Sequence, residues 1–181
     1  MSNLETLLTW LAARPRVEPP DARKLRKQLV GALARAFDED VLVNPLHDIE
    51  RLVKTSTSHG NHLIVGGREP TTGGANFRRD PSLPHFRRAD GAWFDFAITL
   101  TESSPRLIVA YNFELRYGLD DDRFMRLDLN PSGHANADSE SGRSHIHAST
   151  DDWSAPHPEL SPTEALHIML YTCSSTRKPR Q

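Results

Sequence analysis

Cysteine is almost missing from this chain: Cys173 is the only one among 181 residues. An internal disulfide is therefore excluded, and so is a zinc cage built from cysteines. Long apolar runs are missing as well. None approaches the roughly 18 residues that a bilayer-spanning helix needs. The first ten residues, MSNLETLLTW, have no basic stretch and carry Glu5, so we expect no secretory signal and a cytoplasmic protein. Neither sign of charge dominates, since 22 basic side chains face 24 acidic ones. With an isoelectric point near 6.5, the chain lacks the broad basic footprint of a sequence-independent DNA binder. P-loop, dinucleotide-binding glycines, HExxH and nucleophile elbow are all absent, leaving nucleophilic catalysis by serine or cysteine unsupported.

What is present suffices for one domain with a real core. Hydrophobic residues are only 37% of the chain, but they recur in periodic runs, which excludes wholesale disorder. Leu4, Leu7, Leu8 and Leu11 follow helical spacing and Pro15 ends it. Beyond Pro19-Pro20, Asp21 caps a second helix with the stripe Leu25, Leu29, Leu33 and Phe37. Its other face carries Arg23, Lys24, Arg26, Lys27 and Arg35, a basic surface that either is simply solvated or meets a phosphate or acidic partner. A short third helix is expected over Pro45 to Lys54. We therefore assign 1–58 as a helical segment packing on a sheet, 59–173 as that sheet plus a C-terminal helix, and 174–181 as a disordered tail.

From His59 the period becomes two. His62 to Val65 forms a short strand, and 66–91 reads as a long irregular loop. Its five arginines (68, 78, 79, 87 and 88) outnumber its three acids by two charges. Trp93 to Thr101 and Arg106 to Tyr117 alternate cleanly and are joined by Glu102-Ser-Ser-Pro105, which makes an antiparallel hairpin. Phe94, Phe96, Ile98 and Leu100 share the core face with Leu107, Val109, Tyr111, Phe113, Leu115 and Tyr117. Further strands follow at Phe124 to Asn130 and Ser144 to Ser149. Ser161-Pro-Thr-Glu164 is a capping box with proline at the first helical position, and it opens the last helix. The expected fold is α+β: N-terminal helices, an antiparallel four- to five-stranded meander with helices on one face, and a C-terminal helix.

Side chains that turn away from the core must share the other sheet face. A meander paired in order collects Asn112, Glu114 and Arg116, then Arg126 and Asp128, then His145 and His147 on that exposed face. Two histidines two apart on a strand stand about 7 Å apart along it. That spacing suits a general acid and base working across one phosphodiester, or two ligands of one metal. Arg116 and Arg126 could hold a phosphate, with Arg143, His134 and Asp128 contributing to substrate binding. The plain reading is a solvated face with ordinary Arg–Asp pairs. Two-histidine phosphoesterases need two His-x-Ser/Thr elements, and only His147-Ala-Ser149 fits. A cupin would have a glutamate after His-x-His, where Asp151 or Asp152 stands, and its upstream glycine is misplaced.

The segments FMRLDLNPSGH (124–134), RSHIHAST (143–150) and PELSPTEALHIML (158–170) resemble the TumE-like toxins of bacterial type II toxin–antitoxin modules. The resemblance spans roughly residues 92–172 and rests on Arg126-Leu-Asp128, His134, His145-Ile-His147 and the last helix. It implies an RNA-cleaving toxin neutralised by a companion antitoxin with a DNA-binding domain. The expectation is thus a metal-independent endoribonuclease that needs no cofactor. His145 and His147 would exchange protons, and Arg126, with Arg116 or Arg143, would stabilise the phosphorane. Two alternatives stay open: a non-enzymatic protein-binding module of a phage–host or defence system, and a metal site of His145, His147 and Asp128 or His134.

Overall fold

A computed structural model of the chain describes residues 21–67, 82–102, 107–118, 123–131 and 143–172. Helix α1 (Ala22–Asp38) starts where Asp21 accepts from the Lys24 amide at 2.8 Å, and it buries Leu25, Leu29, Leu33 and Ala36. Phe37, expected in that stripe, lies at the margin of exposure, and Ala36 takes the inward place. Helix α2 (Leu46–Leu52) follows Pro45 and is shorter than expected, because the chain enters strand β1 (Val53–Ser58) immediately after it. The segment assigned as helical up to residue 58 therefore already contains the sheet's first strand. Hairpin β1–β2 (β2, Asn61–Gly66) turns through His59 and Gly60, both with positive φ, the two-residue geometry that matches strand twist.

After β3 (Phe86–Arg87) come β4 (Trp93–Thr101), β5 (Ile108–Arg116), β6 (Phe124–Leu129), β7 (Ser144–Ala148) and β8 (Ser154–Pro156), then helix α3 (Pro162–Tyr171). All pairings are antiparallel in the order β1-β2-β4-β5-β6-β7-β8, with β3 set against β4. The fold is α+β as expected, with eight strands rather than four or five. The three additional strands, β1, β3 and β8, are short or rich in hydroxyl residues and carry little apolar alternation. The α3 capping box is present, with Ser161 and Glu164 bonding each other's backbone amides.

A β-bulge corrects the expected β5 pattern. Thr99 pairs with Ala110 but Leu100 pairs with Ile108, so Val109 is the extra residue. Ile108 is thereby buried, while Leu107 is exposed and Val109 only half-buried. One core joins Phe94, Phe96, Phe113 and Leu127 on the sheet to Leu29 and Leu33 of α1 and Leu166 and Met169 of α3. From residue 82 onward the expected arginine loop contains β3 and the turn into β4. Arg88 donates to the carbonyls of Met169 and Thr172, both at 2.9 Å, tying the β3–β4 turn to the end of α3. The expected helix over residues 4–11, Arg68, Arg78, Arg79, His134, Cys173 and the 174–181 tail lie outside the described residues.

Candidate functional site

Antiparallel register places the polar side chains in two cross-strand rows. One row runs Asp95, Glu114, Arg126 and His147, and the next runs Ala97, Asn112, Asp128 and His145. The sequence grouping is thus realised, but the face is not the exposed one expected. His145 is 3% exposed, His147 6%, Asp128 8% and Glu114 1%. These groups shield one another, so their interactions act in a medium of lower polarity than water.

Asp128 is the centre of the cluster. Its Oδ1 accepts from Asn112 Nδ2, and its Oδ2 accepts from Arg126 Nε at 2.7 Å. His147 Nε2 lies 3.6 Å from the same Oδ2, and His145 Nε2 lies 3.8 Å from it. The two imidazole rings meet edge to face, with centroids 5.0 Å apart. His147 Nδ1 is 3.0 Å from the carbonyl of Trp153. A carbonyl only accepts, so Nδ1 carries the proton, and in the neutral ring Nε2 presents its lone pair towards Asp128.

Arg126 Nη1 reaches Asp151 at 2.6 Å and Glu114 at 3.8 Å. Burial alone would lower its pKa; the charge of Asp128 and the hydrogen bonds to Asp128 and Asp151 carry it above the ordinary guanidinium value. Arg116 donates to Glu114 at 2.8 Å and lies over the rings of Trp93 and Phe124. Arg143 stands apart from this constellation. Its guanidinium donates to the carbonyls of Asn130 (2.7 Å), Ile108 (3.1 Å) and Val109 (2.8 Å), which ties it to the β5 bulge. That engagement makes it a clamp on the backbone of the bulge, with Glu159 3.8 Å from its Nη1.

The cluster meets solvent at the β7–β8 connection, where the Asp151 side chain is 72% exposed and Trp153 is 53% exposed. Neither was expected among the site residues. Asp151 carries a sequence signal in its position four residues after His147, whereas the Trp153 contribution is a backbone carbonyl and has none. Asn112 and Glu114 were placed on the right face without a role. Among the described residues, Asp128, His145 and His147 form a group whose ligand atoms all lie within 4.8 Å of one another, and no helix is long and apolar enough to cross a membrane. Comparison with protein-family models, curated proteins and solved structures finds no match to this chain.

Proposed function

We propose that the protein is an endoribonuclease of the toxin type, acting on cytoplasmic RNA at the His145–His147–Arg126–Asp128 cluster. The observation that carries this reading is the β6–β7 register, which sets Arg126 against His147 and Asp128 against His145. Two imidazoles beside a guanidinium are side chains that a phosphodiester transfer uses. The 2′-oxygen of RNA would attack phosphorus as the bond to the 5′-oxygen breaks, leaving a 2′,3′-cyclic phosphate and a free 5′-hydroxyl. Over that step one proton leaves the 2′-hydroxyl and one reaches the departing oxygen. Arg126, opposite His147 in register and bonded to Asp128, would meet the phosphate charge. The scissile phosphate would enter beside Asp151 and Trp153, where the cluster reaches solvent.

The test is incubation of the purified chain with total RNA, beside the His145→Ala/His147→Ala variant. We expect fragments ending in cyclic phosphate from the parent, and at least a 100-fold slower reaction from the folded variant. Equal cleavage by both, or none by the parent, would overturn the reading.

A further inference from the structure

We propose that Asp128, His145 and His147 are the ligands of a divalent transition-metal ion of the zinc type. The distances come first. A hydrogen bond between an imidazolium and a carboxylate closes to about 2.7–2.9 Å. The two Nε2 atoms instead stand 3.6 Å and 3.8 Å from Asp128 Oδ2. Ligands about 2.1 Å from a tetrahedral ion are about 3.4 Å apart. The observed gaps are therefore nearer to those of a shared cation than of a shared proton.

The second observation is orientation. With Nδ1–H held by the Trp153 carbonyl, Nε2 is the His147 nitrogen left to bind a ligand, and it is the one that lies 3.6 Å from Asp128 Oδ2. Backbone-held Nδ1–H is also how a metal-binding histidine is usually oriented, and a metal-binding carboxylate is usually held by further hydrogen bonds. Asn112 and Arg126 supply those to Asp128.

Ligand chemistry is the third. Two imidazoles and one carboxylate suit zinc and its first-row neighbours better than magnesium or calcium, which favour all-oxygen sites. Three protein ligands leave a coordination position open, the arrangement of catalytic sites. An ion held here needs no RNA, and only its use in cleavage rests on the ribonuclease reading.

The full chain, stripped with a chelator and dialysed, is titrated with zinc chloride by calorimetry, and with cobalt(II) by visible absorption. We expect one equivalent of each, a visible d–d spectrum that saturates with bound cobalt(II), and at least about 30-fold weaker binding by His147→Ala. Asn112→Ala, which removes a hydrogen bond to Asp128, should weaken binding about 10-fold. His59→Ala/His62→Ala, altering the other closely spaced histidine pair, should bind as the parent does. Absence of binding by the folded parent overturns the proposal, and so does parent-like affinity in folded His147→Ala. Stoichiometric binding without RNA cleavage upholds the metal site and removes the ribonuclease reading. Full cleavage in EDTA by a chain that binds no zinc does the reverse.

Discussion

His85 lays its ring against Trp93, with centroids 4.6 Å apart, and donates Nδ1–H to the carbonyl of Leu83 at 2.8 Å. Among the described residues its buried Nε2 has no hydrogen-bond partner. Burial, aided by the nearby charge of Arg87, pushes the pKa below the ordinary 6.5, against the opposing influence of the Leu83 carbonyl and Asp95. A base whose pKa is lowered on folding binds more protons in the unfolded chain. Its contribution to stability is complete above about pH 6.5 and is lost as the pH falls from there through the lower folded value. Urea midpoints should accordingly drop on acidification across that window, and His85→Gln should show a smaller drop than the parent. Equal slopes for the two would remove His85 as a source. Gly66 is a residue-scale constraint of another kind. A Cβ there would stand 2.3 Å from two ring atoms of Phe96 and 2.8 Å from Phe86. Gly66→Ala must push the core rings aside, and we expect a loss of about 1–3 kcal/mol in urea unfolding.

Elements show how far a periodic sequence reports geometry. The alternation of Phe94 to Leu100 and of Tyr111 to Leu115 is realised because each apolar side chain meets another across the pair. Alternation fails at Leu107 and Val109, where a single unpaired residue flips everything before it to the other face. No residue type marks that bulge; its signature is a partner far along the chain, Arg143. A similar limit hid strand β1. Thr55, Ser56 and Thr57 give no hydrophobic contrast, and the turn that would have revealed the hairpin is His59-Gly60 in place of the commoner Asn-Gly. The candidate site was legible as a set of residues, since register follows from strand order. Its burial was not, because exposure depends on curvature and on which connections fold over the sheet. Arg143 offers the test at this scale. Its guanidinium meets carbonyls at the bulge and at Asn130, so Arg143→Ala should destabilise by about 2 kcal/mol. Should the proposed site bind zinc, the folded variant should keep parent-like affinity; weakened binding in proportion to that of His147→Ala would put Arg143 in the site itself.

Across the whole molecule, the helices and the polar face occupy opposite sides of one sheet, so the candidate site depends on the hydrophobic core behind it. Met125, Leu127 and Leu129 of β6 enter that core, alternating with Arg126 and Asp128 on the other side. The ends of the chain order are tied together as well. Leu160 donates its amide to Tyr111 Oη at 3.2 Å just before α3, Arg88 holds the carbonyls at the end of α3, and Tyr171 donates to Glu39 at 2.7 Å just after α1. These links join α1, the sheet and α3 into one cooperative unit, and Leu33 is buried at 0% exposure in the core they share. Leu33→Ala removes its packing on a helix remote from the histidines, and it should cost about 2–5 kcal/mol. If the unit is single, far-ultraviolet circular dichroism and fluorescence of the buried Trp93, read in a Trp10→Phe/Trp153→Phe background, should move to lower urea together and remain superimposable. Helix signal lost at lower urea than Trp93 emission would mean that the helices detach from an intact sheet, and that the site does not need them.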